Sequence, residues 1–195
     1  MTRIISGSAG GRRLETPDGD RTRPTSDRVR EALFSAIESR VGSLRGLRVL
    51  DLYAGSGAVG LEAWSRGAEA VTLVESDRRT AELIRRNARV VSCDVADIRA
   101  ATVASALATA PAAPYDVIFS DPPYPLTEEE LAHDLELLAD HGWLSPDALV
   151  VVERGSRSPE PAWPAAIEPW TGKRRMRKYG ETKLWYATAE VPAPT

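Results

Sequence analysis

The sequence is poor in the residues that build metal centres and disulfides. Its 195 residues include one cysteine, Cys93, two histidines, His133 and His141, and two methionines. One thiol forms no internal disulfide, and this set supplies neither a multi-thiolate site nor a zinc centre, so no metal is expected. No apolar run approaches the ~20 residues of a membrane span. The N-terminus has no stretch long enough for the core of a secretory signal. A chain free of membrane contact, working in the cytoplasm as a monomer, is therefore expected. What remains is 43% hydrophobic and 27% charged residues with only 6% aromatics. That composition excludes collagen-like, disulfide-scaffold and disordered classes, and the length suits one domain with at most a small appendage.

The net charge of −3 hides an asymmetry. Residues 1–30 carry seven arginines against four acids, and residues 171–185 carry six basic residues against Glu181 alone, leaving −11 for the rest of the chain. An acidic body with two basic ends suits a polyanionic partner met at those ends.

Arg3-Ile-Ile-Ser and Gly10-Gly-Arg-Arg-Leu read as two short strands around a glycine turn. From Ser26 to Val41, Val29, Ala32, Leu33, Ala36, Ile37 and Val41 define one helical face. Strand and helix then alternate. Strands are expected at 48–52, 70–74, 90–93, 116–120 and 148–152, and helices at 58–66, 77–88, 96–110 and after Thr127, where Glu130 completes a capping box. Near-continuous Val/Ile/Leu runs imply strands covered on both faces, hence a parallel, doubly wound α/β sheet. Residues 154–164 read as a loop, and Lys173–Tyr179 with Lys183–Ala187 as a strand pair turning at Gly180.

Asp51-Leu-Tyr-Ala-Gly-Ser-Gly-Ala-Val-Gly60 falls between a strand and a helix, where open parallel sheets bind nucleotide-like ligands. Gly55, Gly57 and Gly60 satisfy G-x-G-x-x-G, which admits a nicotinamide dinucleotide. Two details favour S-adenosyl-L-methionine. Asp51 suits a methionyl ammonium better than a pyrophosphate, and no hydride-transfer machinery is evident. Glu75, ending the next strand, suits ribose hydroxyls under either reading. Asp94, taken to follow the third strand, suits the adenine amino group.

Asp121-Pro-Pro-Tyr124 follows another strand. An exocyclic amino group is a weak nucleophile because its lone pair is delocalised into the ring. The Asp121 carboxylate and the Pro122 carbonyl, both accepting N–H bonds, would localise that lone pair, and Pro122 and Pro123 add no donors of their own. Tyr124 offers a stacking face for an extruded base. No covalent intermediate is required, so Cys93 reads as a small buried residue.

Together these motifs resemble the class I S-adenosylmethionine-dependent methyltransferases that modify amino nitrogens. The segments Arg3-Ile-Ile-Ser-Gly, Gly11-Arg-Arg-Leu, Thr16-Pro and Arg23-Pro-Thr-Ser-Asp-Arg-Val-Arg-Glu-Ala-Leu-Phe34 are similar to the signature of the RsmD family, the bacterial 16S rRNA guanine-2-amino methyltransferases. The resemblance runs from Arg3 to about Tyr186. It implies a seven-stranded, mostly parallel Rossmann-like methyltransferase sheet with an N-terminal β-hairpin extension, and 16S rRNA or the assembling small subunit as partner. It also implies cofactor contacts from Asp51, Tyr53, Gly55, Ser56, Gly57, Glu75 and Asp94, with Asp121, Pro122, Pro123 and Tyr124 at the target base. RNA contacts are expected from Arg12, Arg13, Arg23, Arg28, Lys173, Arg174, Arg175 and Arg177, some of which could instead tie the hairpin to the body. Compared with the family, the connection after the helix ending near Asn87 is short. The expected organisation is an RNA-binding extension at 1–22, a methyltransferase domain at 23–190 and a frayed tail at 191–195. The competing readings are an adenine-specific DNA methyltransferase, for which 195 residues leave little recognition machinery, and a non-catalytic RNA-binding assembly factor.

Overall fold

The computed structural model describes residues 1–18 and 26–190. Arg23 and the expected tail at 191–195 lie outside them. Strands β1 (Thr2–Arg3) and β2 (Arg13–Leu14) form a small antiparallel hairpin. Helix α1 (Asp27–Val41) starts at Ser26, whose hydroxyl accepts the Val29 N–H, and buries Val29, Leu33, Phe34 and Ile37. Strands β3 (Arg48–Leu52), β4 (Ala70–Glu75), β5 (Ala96–Ala100), β6 (Tyr115–Ser120) and β7 (Leu144–Gly155) are mutually parallel. Their crossovers carry α2 (Ala58–Ser65), α3 (Arg78–Val91), α4 (Val103–Leu107) and α5 (Glu128–Asp140).

Three further strands close the sheet: β8 (Ile167–Pro169), β9 (Met176–Tyr179) and β10 (Thr182–Ala189). The order is β5-β4-β3-β6-β7-β10-β8, seven strands on one path, with β9 added on β10 as a hairpin through Gly180. Strand β10 runs antiparallel to both neighbours on the path. One apolar cluster lies between the sheet and the layer of α1, α2, α3 and the N-terminal hairpin; a second lies under α4 and α5. Among the described residues no helix is long and apolar enough to cross a membrane.

The sheet departs from the sequence expectation around β5. The strand expected at 90–93 is the end of α3, whose buried stripe Ala81, Ile84, Ala88, Val91 keeps helical spacing to its last turn. Ser92 then caps it in the left-handed region, φ 63°. The helix expected at 96–110 is the strand β5 followed by the five-residue α4. Strand β7 also runs longer than expected, through Arg154 and Gly155.

The N-terminal arm is held by side chains from the body. Glu62 of α2, wholly buried, accepts the Ile5 N–H at 2.7 Å and the Ser6 N–H at 3.0 Å, and pairs with Arg66 at 2.8 Å. Arg30, equally buried, donates to the Arg3 carbonyl, Thr2 and Asp27. Replacing Glu62 by Ala strips two backbone amides of their acceptor and removes the countercharge 3.9 Å from the buried Arg30 guanidinium. It is expected to lower stability by about 3–5 kcal/mol, the range for breaking a buried pair. Amide hydrogen exchange at Ile5 and Ser6 should rise well above that of the β3 amides. Unchanged exchange there would show that the arm is held otherwise.

Candidate active site

The chain leaves β3 toward β4 and β5 on one side and returns to β6 on the other. The crevice at the carboxyl ends of β3 and β6 is thus the topological switch point. Both principal motifs open there. The glycine loop follows Leu52 and the Asp121 segment follows Ser120, and Leu52 and Ser120 are register partners. The Asp121 N–H donates to the Leu52 carbonyl at 3.3 Å, so the two motifs are joined directly.

The loop is shaped by one carboxylate. Asp51, almost fully buried, accepts the Gly60 N–H at 2.9 Å. A β-carbon on Gly60 would lie 2.7 Å from the Leu73 side chain, so only glycine lets α2 approach β4 this closely. Gly57, with φ 79°, opens α2 against Ile84. Burial pushes the Asp51 carboxyl up to about 7, opposed by the Gly60 N–H and reinforced by the nearby negative charge of Glu75. Glu75 itself accepts the Gly55 N–H at 3.0 Å and the Asp77 N–H at 2.9 Å. Tyr53, at φ 61°, turns its hydroxyl onto the carboxylate of Asp134 on α5.

On the other side, Pro122 is buried whereas Tyr124 is 69% exposed, an unusual exposure for a large aromatic side chain. The segment is braced from β7. Arg154 donates to the Glu128 carboxylate and, at 3.5 Å, to the Leu126 carbonyl. The Tyr124 ring comes close enough to Gly155 that a β-carbon there would meet it at 3.4 Å. A cleft of about 1060 Å³ joins these parts, lined by Asp51, Tyr53, Gly55, Ser56, Glu75, Asp121, Pro122, Pro123 and Tyr124 together. Its remaining walls include Thr16 and Pro17 from the arm, Val29 and Arg30 from α1, Glu153 and Arg154 from β7, and Tyr179 and Thr182 from the β9–β10 hairpin.

Two of the expected cofactor residues do not line the cleft: Gly57, buried as the cap of α2, and Asp94. Asp94 is exposed and precedes β5 instead of following it, so it sits at the amino end of the parallel strands, away from the cleft. The segment that does follow β5 is Ala101-Thr102, whose Ala101 N–H donates to the Glu75 carbonyl.

The arginines divide. Arg12 donates to the Val90 carbonyl and so ties the hairpin to α3. Arg175 pairs with Glu160 and lies 5.7 Å from the Trp185 ring centre. Arg13, Arg28, Lys173, Arg174 and Arg177 are exposed, and Arg23 lies outside the described residues. Sequence reading passed over Arg30, Arg154 and Asn87. Asn87, fully buried, accepts the Glu15 N–H at 2.8 Å and donates to the carbonyls of Glu15 and Ser56, both at 2.9 Å. The signal available was a polar residue beside the buried stripe of an amphipathic helix. Cys93 is buried, and burial pushes its thiol up to about 11, so it stays protonated near neutrality.

The profile of a family described as "Conserved hypothetical protein 95" matches residues 2–188. Ribosomal RNA small subunit methyltransferase D of Escherichia coli is 38% identical over 163 residues, covering 84% of this chain and 79% of that protein. The protein of the same name from Haemophilus influenzae is 34% identical over 183 residues, covering 91% and 92%. The chain belongs to the RsmD family. A solved structure described as the putative methyltransferase yhhF from Escherichia coli superposes with a TM-score of 0.84 at 33% identity, over 97% of this chain and 98% of that one. The mostly parallel, doubly wound sheet is therefore a methyltransferase fold, with an antiparallel hairpin added at its N-terminus.

The raised Asp51 carboxyl has a measurable consequence. Near pH 5–6 the folded protein holds a proton there that the unfolded chain, with its ordinary carboxyl, has released. That contribution to stability is lost as pH rises from about 4 through about 7. The unfolding free energy of the protein minus that of Asp51→Asn should fall over this interval by up to about 1.4 kcal/mol per pH unit and flatten above it. Denaturant titrations at stepped pH read the difference. A difference that rises with pH would contradict the assignment.

Proposed function

We propose that the chain transfers a methyl group from S-adenosyl-L-methionine to the exocyclic 2-amino group of a guanine in small-subunit ribosomal RNA. The observation that carries this reading is the bond from Asp121 to the end of β3, which sets an acceptor-rich ledge on the same rim as the glycine loop. The names of the relatives support ribosomal RNA as the substrate, and the choice of the guanine 2-amino group follows the family resemblance.

The pocket fits the cofactor chemically. A carboxyl balanced near neutrality, Asp51, gains from a cation placed beside it, as the methionyl ammonium would be. The Glu75 carboxylate keeps acceptor positions for ribose hydroxyls beyond the two amides it already takes. Bound, S-adenosylmethionine supplies an electrophilic methyl group. Asp121 and the Pro122 carbonyl accept the two amino N–H bonds of the target, which localises the nitrogen lone pair toward the methyl group. As the N–C bond formed and the sulfonium C–S bond broke, positive charge would pass from sulfur to that nitrogen, where the fixed Asp121 carboxylate would stabilise it until the surplus proton left to water. Tyr124, exposed beside Gly155, receives the ring of the base as a stacking face. Arg13, Arg28, Lys173, Arg174 and Arg177, all exposed, would meet phosphates, while Arg12 and Arg175 would act through the contacts that hold the hairpins.

Methyl-labelled cofactor supplied with small-subunit RNA or with particles, followed by nucleoside digestion, tests the assignment. Label on guanosine at the 2-amino position is expected. Label on adenosine alone, or none on RNA, overturns it. Asp121→Ala should abolish transfer while leaving cofactor affinity within a few-fold; undiminished turnover in that variant removes the ledge from the mechanism.

A further inference from the structure

Helix α1 and the β9–β10 hairpin flank two cavities that lie along one seam. At the amino end of α1, Val29 and Arg30 face the main cleft together with Tyr179 and Thr182. At the carboxyl end, about 15 Å further by helical rise, lies a second groove of about 370 Å³. Its walls include Ala36 and Arg40 of α1, then Trp170, Arg174, Arg177 and Tyr186.

Two independent features mark this groove as built for a ligand. The first is charge. Arg40, Arg174 and Arg177 are exposed, and none of them forms an ion pair among the described residues. The second is an aromatic plate with an unused polar group. Trp170 and Tyr186 stack at 5.2 Å between ring centres, and the Trp170 indole N–H is fixed on Thr188 at 2.7 Å. The Tyr186 hydroxyl is buried without a hydrogen-bond partner among the described residues, although buried hydroxyls are ordinarily satisfied. Guanidinium groups around a fixed aromatic face are the chemistry of single-stranded nucleic-acid binding, where cations take the backbone and rings take the bases. The volume is at the small end of ligand pockets and suits one nucleotide, not a duplex.

We propose that this groove is a nucleotide subsite, holding the phosphate and base of an unpaired nucleotide that flanks the one in the cleft. The inference rests on the RNA-modifying reading above. It adds Arg40, Trp170 and Tyr186 to the residues that grip the strand. Arg40, Arg174 and Arg177 bind the phosphate, Trp170 supports the base, and the Tyr186 hydroxyl donates to the phosphate once the nucleotide is seated.

The experiment uses the full chain and a set of fluorescent RNA hairpins carrying an unpaired guanine, each with one phosphate near the loop replaced by a neutral methylphosphonate. For the unsubstituted chain, one position should weaken binding several-fold more than the others. For Arg40→Ala, overall affinity should fall about 5–10-fold at 0.1 M salt, the salt slope should drop by about one unit, and the special position should lose its effect. Tyr186→Phe, which keeps the ring stack, should weaken binding at least two-fold without lowering the melting temperature. Cofactor affinity, read separately, reports an intact fold. Equal sensitivity at every linkage, or full RNA affinity in Arg40→Ala and Tyr186→Phe, overturns the subsite. An equal response to adenosine monophosphate and to the hairpins would assign the groove to a free nucleotide and likewise overturn it as an RNA subsite. A chain that shows the linkage effect but transfers no methyl group would instead refute the activity and leave the subsite standing.

Discussion

The hydrogen bond from the Gly60 amide to the Asp51 carboxylate is the constraint on which the rest of the rim depends. It draws the first turn of α2 back over the end of β3, close enough that Leu73 leaves no room for a side chain at position 60. The turn between them must then be tight, and it is closed with Tyr53, Gly55 and Gly57 all at positive φ. Because the loop is tight, Leu52 presents its carbonyl outward at the strand end, where the Asp121 amide takes it. The position of the acceptor ledge is therefore a consequence of how β3 ends. A buried carboxyl held near its midpoint at neutral pH is the electrostatic result of the same packing.

The N-terminal arm is integrated by a second device. It is too short to form a sheet of useful size, since each of its strands has two residues. Its backbone polar groups are satisfied by side chains of the helices beneath it: Glu62 serves Ile5 and Ser6, Ser65 serves Ala9 and Ser6, and Asn87 serves Glu15. The Asn87 amide also holds the Ser56 carbonyl, so arm and glycine loop share one side chain. Arg30 and Arg12 belong to this framework too. Part of the positive charge counted at the N-terminus is thus internal to the fold, which a charge count from sequence cannot separate from a ligand-binding patch.

The sequence was legible where hydrophobic pattern and local chemistry agreed. Continuous apolar runs located β3, β4 and β6, covered on both faces, the apolar face from Ser26 located α1, and the Thr127 cap marked the start of α5. It misled where propensity and burial conflicted. Val90 and Val91 suggested a strand, yet Val91 continues the buried face of α3. The alanine-rich stretch from 96 suggested a helix, yet β5 is the edge strand of its sheet, half exposed, and holds its place by pairing with β4. The error displaced Asp94 by the length of a strand, from the rim to the opposite edge. Arg154, Glu153 and Tyr179 were invisible for another reason. They reach the cleft only through β7 and the β9–β10 hairpin, whose approach to β6 depends on the order of strands and not on any local motif.

The distribution of charge around the cleft constrains what can enter it. Asp51, Glu75, Asp77, Asp121 and Glu153 line its walls. Among the described residues, the two arginines that reach it are already engaged, Arg30 with Asp27 and Arg154 with Glu128. Among the described residues, cations without such partners stand outside it, among them Arg13 on the arm, Arg28 and Arg40 on α1 and Arg177 on the β9–β10 hairpin. A polyanionic strand is attracted to that outer ring and repelled from the acidic interior. On the proposed reading, the part of a nucleotide that would pass inward is its neutral base, once it has left the stack and with its phosphates kept at the rim. A cationic methyl donor has the opposite preference and is favoured within. On the proposed reading, charge segregation would keep the phosphates at the rim and admit the cationic donor and the neutral base to one cavity, before any specific contact discriminates among bases.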